Sequence, residues 1–259
     1  MSFDVKITTS FNVLDLLAPF SCRGCGVLGS LLCECCKKHN TSLISGVCCR
    51  CRKNIKTCCC ENPVVFVGYR EGVLMQLVED YKYKSIRATA GVLAEVLAEA
   101  VVKVWEAGRL GETSGVDRAN EADDLAAIDG SVVVVPLPTI SRHIRERGFD
   151  HMRLLAKKLV RVLKKDYELS SAMAQVLERR NKTVQVGASG EKRRRQAREA
   201  YGVSRRWLRR NGDKLDPDTT YLLVDDVWTT GASMEAAIKK MREAGAKKIV
   251  GAVILAAKD

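Results

Sequence analysis

What the 259-residue chain lacks narrows its class. No run approaches the ~18 consecutive apolar residues that a membrane-spanning helix needs. The opening stretch MSFDVKITTSFNVLDLLAPF carries Asp4 and Asp15, with no basic lead before an apolar core. It makes a poor signal peptide, and a soluble cytoplasmic protein is expected. Gly-x-x-x-x-Gly-Lys-[Ser/Thr] occurs nowhere, which disfavours a nucleotide hydrolase of the P-loop kind. Cysteine is missing from everything beyond Cys60, although the chain holds eleven, all between Cys22 and Cys60. Such confinement marks a separate module with its own source of stability.

That module is short of large apolar side chains, so it cannot fold on a core of its own. Its cysteines fall in pairs: Cys22/Cys25, Cys33/Cys36, Cys48/Cys51 and a less regular Cys58/Cys60. Cys-x-x-Cys puts two thiolates in one tight turn, and two such turns complete a tetrahedral metal site. Four pairs make two sites. One structural zinc contributes on the order of 10–16 kcal/mol to folding, and four thiolates leave no open position for a catalytic water. Disulfides are rare in a cytosolic chain, and an iron–sulfur cluster is the other alternative; two structural zinc ions are expected. Cys35, Cys49 and Cys59 are surplus, Thr57 interrupts the last knuckle so that Cys58 or Cys59 can serve in it, and His39 is an outside candidate.

The formal net charge is +12. Eight thiolates on two zinc ions lower it to roughly +8, which keeps a polyanionic substrate, a nucleic acid or both in view. The rest of the chain is long enough for one α/β domain of about 150 residues or more. Apolar runs at residues 64–69, 131–135, 221–225 and 248–255 read as buried strands, with a weaker one at 173–177. Between them, helical spacing runs from Ile86 through Leu93, Leu97 and Val101, with Gly108 as the expected cap and residues 109–130 as an exposed loop. A second helix follows Asp150, with Leu155, Leu159 and Val162 inward and a basic outer face. Strands alternating with helices imply a largely parallel sheet with ligands at its carboxyl edge. The expected domains are residues 1–62 for the cysteine module and 63–259 for the α/β unit.

The richest stretch is residues 221–233, YLLVDDVWTTGAS. A buried strand brings Asp225 and Asp226 to its end, and Thr229, Thr230, Gly231, Ala232 and Ser233 then open into a helical pattern. A strand end leading into a helix N-terminus offers free N–H groups and a favourable dipole to a phosphate. Gly231 permits close backbone approach, the hydroxyls add donors, and the two carboxylates can accept from sugar hydroxyls or help hold magnesium. A buried strand followed by ordinary helix caps accounts for one carboxylate and one hydroxyl, not for the run.

An apolar strand, two acids, two spacers and Thr-Thr-Gly-Ala-Ser resemble the PRPP-binding signature of type I phosphoribosyltransferases. With the paired Cys-x-x-Cys knuckles, the Asp15–Pro19 lead-in, Tyr69, Lys82-Tyr83, VVPLP, the RERGFD run and the Arg180…Thr183…Gln185 segment, the chain resembles the ComF family, phosphoribosyltransferase-like proteins associated with competence. Asp150-His151 departs from that family's usual Asn-Gln, and Tyr201 from its usual Phe. The resemblance implies that Asp225 and Asp226 hold the ribose hydroxyls and residues 229–233 the 5′-phosphate. It further implies that Arg145, Arg147 and Lys82 serve PRPP, with magnesium bridging pyrophosphate and ribose oxygens. The very basic segment after residue 178 then matches a mobile loop closing over PRPP.

The acceptor is not implied. Only four residues follow Leu255, so any hood that selects a base is expected from residues 61–84 or the zinc module. A second reading is a non-catalytic scaffold for single-stranded DNA or DNA-uptake partners. It rests on Arg205, Arg206, Arg209 and Arg210 with Tyr201 and Trp207 interleaved, since basic groups with stacking aromatics suit single strands.

Overall fold

A computed structural model describes residues 19–41, 45–54, 57–58, 60, 62–110, 132–180 and 200–257. The lead-in at 11–18, the expected loop beyond 110, Cys59 and the basic stretch at 181–199 lie outside the described residues. The module contributes helix α1 (Glu34–Asn40) and strand β1 (Ser45–Cys48). Then come β2 (Pro63–Tyr69), α2 (Gly72–Tyr83), α3 (Thr89–Leu110), β3 (Val132–Pro136), α4 (Ser141–Arg147) and α5 (His151–Asp166). The chain continues through β4 (Ser171–Met173), β5 (Leu177–Arg179), β6 (Tyr201–Val203), α6 (Arg205–Asn211), β7 (Thr220–Trp228), α7 (Ala232–Glu243) and β8 (Lys248–Ala256).

Six strands form one sheet in the order β1-β2-β8-β7-β3-β4. Every pairing from β2 to β4 is parallel, and β1 joins the β2 edge antiparallel. The strands are near-continuous apolar runs because both faces are covered. On one face α2, α3 and α5 bury Leu77, Leu93, Leu97, Leu155 and Leu159 against Val134, Leu222 and Val224. On the other, α7 and the antiparallel β5–β6 ribbon bury Met234, Ile238 and Tyr201 against Tyr221, Leu223 and Val253. The architecture is a mostly parallel sheet flanked by helices with an N-terminal cysteine-rich module, as expected.

Several boundaries differ. Residues 173–177 are not one strand: the chain leaves the main sheet after Met173 and enters the small ribbon at Leu177. Strand β7 does not stop at the two acids, because its pairing with β8 continues to Trp228↔Ala256. Helix α3 runs past Gly108 to Leu110. A mid-helix glycine costs about 1 kcal/mol, which buried neighbours upstream such as Val101 and Trp105 offset. On α5, Val162 sits at the margin, and Met152, Ala156 and Leu163 complete the buried face.

A buried carboxylate ties the first knuckle to α2. Asp80 is 2% exposed, receives the Arg23 guanidinium and pairs with Lys84 Nζ at 2.8 Å. Burial pushes Asp80 up, but the Lys84 and Arg23 hydrogen bonds outweigh it and hold the carboxyl below its ordinary value. A lowered folded pKa gives a contribution that is complete above about 3.9 and is lost as pH falls through the lower folded value. Asp80→Asn removes two charge-assisted bonds and should cost about 2 kcal/mol at pH 7. Urea unfolding across pH should show that difference shrinking as pH falls below about 4; a difference that stays constant down to acid unfolding would contradict the ion-pair account.

Candidate functional site

Asp225 and Asp226 project from β7 near the carboxyl edge of the sheet, but into different surroundings. Asp226 is 4% exposed and shared between two helices. Lys82 of α2 sits 2.8 Å from Oδ1, and His151, the first residue of α5, places Nε2 2.9 Å from Oδ2. Arg147 Nη1 approaches His151 Nδ1 at 2.9 Å. A guanidinium can only donate, so Nδ1 accepts and Nε2 carries the proton given to Asp226. The buried Tyr81 hydroxyl donates to the His151 carbonyl oxygen, which fixes the start of α5. Tyr81 also meets the Phe149 and His151 rings at 5.7 and 6.0 Å.

The adjacent carboxylates are driven apart in protonation. Burial raises Asp226, yet the His151 hydrogen bond and the Lys82 charge outweigh that penalty and hold it low. Asp225, half-buried, is raised by desolvation and then by the Asp226 charge. Its Oδ1 accepts the Asp226 backbone N–H at 2.9 Å. The pair therefore offers one fixed negative charge beside one group ready to share a proton with a ligand hydroxyl.

Past Trp228 the loop forms a cup of about 50 Å³ lined by Asp225, Thr229, Thr230, Ala232 and Ser233. One water needs roughly 10–15 Å³ on that measure, so the cup has room for a tetrahedral oxyanion. Gly231 adopts φ +77°, and a Cβ there would lie 2.5 Å from the Cys49 carbonyl oxygen and 2.6 Å from Trp228 Nε1. No other residue fits. Gly231 also caps α7 without a side-chain hydrogen bond; the Ala232 N–H donates to Thr230 Oγ1 at 3.4 Å, and the later first-turn N–H groups suit an anion. The Tyr201 hydroxyl accepts from Arg179 Nη1 at 3.2 Å and neighbours Ser233, so the ribbon buttresses the cup.

The structure thus brings Asp226, Lys82 and Arg147 together, with Asp225 and the 229–233 loop alongside. Arg145 is exposed on α4 and stands outside that cluster. Arg205, Arg206, Arg209 and Arg210 lie exposed on α6, but Tyr201 is buried and Trp207 packs half-buried against the core. The expected stacking pair is therefore not displayed, because both rings are spent on packing. His151 is the participant that sequence reasoning missed. Its signal was the i, i+4 spacing from Arg147 across the Gly148 turn.

In the module, the thiols of Cys22, Cys25, Cys33 and Cys36 converge, as do those of Cys48, Cys51, Cys58 and Cys60, each set within 4.8 Å. Cys25 and Cys33 Sγ lie 3.6 Å apart, and Cys51 and Cys58 Sγ 3.2 Å. A tetrahedron with Zn–S near 2.3 Å has edges of about 3.8 Å, so both sets fit zinc. Backbone N–H groups of Gly24 and Cys33 point at Cys22 Sγ, and that of Arg50 at Cys48 Sγ, as outer-shell support for thiolates. Cys49 is buried, its thiol pushed up to about 12 by burial and then by Cys48, and serves as core.

Residues 150–259 match the family model of the phosphoribosyl transferase domain. No curated protein matches the chain. The matched span includes His151, both acids and the cup. It supports a phosphoribosyltransferase-like function and implies binding of PRPP, and with the two four-cysteine clusters it fits a ComF-like architecture. Among the described residues no helix is long and apolar enough to cross a membrane.

Metal analysis of protein purified without chelator should return about two zinc ions per chain. Chelation should release residues 20–62, including the β1 edge strand, and leave the circular dichroism of the helix-flanked sheet in place. A ratio below one, or the visible absorbance of an iron–sulfur cluster, would contradict the zinc assignment.

Proposed function

We propose that the carboxyl edge of β7 binds PRPP with magnesium and transfers, or once transferred, its phosphoribosyl group. The observation that carries this reading is the contiguity of three chemistries. The helix N-terminus behind Gly231, with its flanking hydroxyls, suits the 5′-phosphate. The Asp225–Asp226 pair suits the ribose hydroxyls. Arg147 and Lys82 place positive charge around His151 and Asp226 for pyrophosphate. The oxygen donors of the pair fit a hard cation, and magnesium, when bound through PRPP oxygens, supplies charge neutralisation. Asp226 orients the ribose, and His151 holds Asp226 in place. Displacement at the anomeric carbon then proceeds through an oxocarbenium-like state, with positioning and electrostatics as the main sources of rate.

The paired zinc clusters ahead of the transferase-like domain favour a ComF-type protein with a role in DNA uptake. We assign residues 1–62 to the module and 63–259 to the transferase-like domain, with β1 reaching across to the sheet. Asp225→Asn combined with Asp226→Asn should weaken binding of magnesium–PRPP at least tenfold, about 1.4 kcal/mol, by calorimetry. Unchanged affinity in a folded double variant would move the site elsewhere.

Four exposed arginines on α6 favour a second role in contacting single-stranded DNA through phosphates. Binding should then weaken with salt at a slope of about −0.7 per phosphate neutralised. Changing Arg205, Arg206, Arg209 and Arg210 to Ala should flatten that slope by roughly two to three units while PRPP affinity stays put. A variant that keeps the slope but loses PRPP would place α6 in the transferase site instead.

A further inference from the structure

The second knuckle touches the phosphate loop and α7 at three points. The Cys49 carbonyl oxygen abuts Gly231, Arg50 faces Glu235 at 3.7 Å, and Arg52 Nη2 donates to the Thr229 carbonyl oxygen at 2.6 Å. The Arg50 pair is exposed and contributes little, whereas a guanidinium on a carbonyl oxygen makes a charge-assisted bond. The Arg52 guanidinium also lies over the Trp228 ring, 5.0 Å from its centroid, a favourable cation–π placement. Arg52 and Trp228 wall a cavity of about 400 Å³ with Val47, Phe66 and Tyr69. Close packing therefore does not fill the space beside the start of the loop, and directed contacts must hold it.

Arg52 is itself held by the cysteine turn. Its N–H donates to the Cys48 carbonyl oxygen at 2.9 Å, and the Cys48 N–H donates to the Lys53 carbonyl oxygen at 2.9 Å. Cys48 and Cys51, both in this turn, belong to the second four-thiol cluster. Arg52 holds φ +59°, a left-handed backbone that a non-glycine residue keeps only where its surroundings over-determine it.

The consequence falls on the far side of one peptide. In a trans peptide the carbonyl and the next N–H point in opposite directions. Drawing the Thr229 carbonyl toward Arg52 therefore turns the Thr230 N–H away from the guanidinium. Neither that N–H nor the Gly231 N–H has an acceptor among the described residues, and both residues line the cup. We propose that Arg52 is a positioning residue for the phosphate loop. It keeps the Thr230 and Gly231 N–H groups turned toward a phosphate monoester in the cup, and metal in the second four-thiol cluster presets it. The assignment rests on the PRPP reading of the β7 edge.

The test uses the zinc-loaded full-length chain, with ribose 5-phosphate and magnesium–PRPP as probes. Calorimetry reads affinity, and amide NMR of Thr230 and Gly231 reads the positioning. In the unaltered protein both amide protons should move downfield as ribose 5-phosphate saturates the site. Arg52→Met keeps the length of the side chain and removes its donors. It should weaken both ligands at least fivefold, by the same factor, and at saturation reduce the Thr230 shift by more than half. Cys51→Ser, with one zinc lost, should reproduce that pattern. Four results would overturn the proposal while leaving PRPP binding in place. Folded Arg52→Met with both zinc ions could bind both ligands normally. Its affinity could fall with the saturated amide shifts unchanged, which would make Arg52 a direct ligand contact. PRPP alone could weaken, or Cys51→Ser could keep full affinity for ribose 5-phosphate. Failure of the unaltered protein to bind either probe is a different outcome; it removes the PRPP reading and the role of Arg52 with it.

Discussion

A carboxylate as buried as Asp226 must be paired, and meeting that requirement organises the carboxyl edge of β7. Its partners come from two helices on the same face of the sheet: Lys82 from the last turn of α2 and His151 from the first turn of α5. Placing them fixes where both helices end and begin. The β3–α4–α5 connection must then fold back over β7, which brings Arg147 onto His151. The buried Tyr81 hydroxyl, spent on the His151 carbonyl oxygen, locks that start in place. One ionised side chain therefore ties the core packing of α2 and α5 to the charge distribution a polyanionic ligand meets.

The module is joined to this edge rather than hung from it. Strand β1 extends the sheet beside β2, the Cys49 carbonyl oxygen fills the space that only Gly231 leaves open, and Arg52 holds the Thr229 carbonyl oxygen. At the other knuckle, Arg23 reaches the buried Asp80. Neither knuckle has a large core, so a metal held by each thiol cluster would stabilise the turns that make these contacts. The ion pair between Arg50 and Glu235, 3.7 Å apart and exposed, adds little by comparison.

Much of this was legible because its information is local. Residues 229–233 are contiguous, so their gathering around one cup between β7 and α7 follows from the local order of the chain. The cysteine spacings give the two four-thiol clusters for the same reason, and the apolar runs give the main strands. What escaped depends on long-range packing. His151 gains meaning only when α5 docks against β7, and Trp228, Phe66 and Arg52 become one cavity only when β1 and β2 lie alongside β8. Tyr201 and Trp207 misled for the converse reason. A basic stretch with aromatics suggests a stacking surface, but the rings turn inward to fill the space between the ribbon and α7. Gly108 suggested a helix end because local propensity favours one there, and packing along α3 carried the helix through it.

The central claim is that one PRPP site lies at the β7 edge. Titration of PRPP into the zinc-loaded chain by calorimetry, in buffer with and without magnesium, tests it most directly. The account predicts saturable binding of about one PRPP per chain that magnesium strengthens. Absence of saturable binding in magnesium, with both zinc ions retained and the sheet folded, would contradict it.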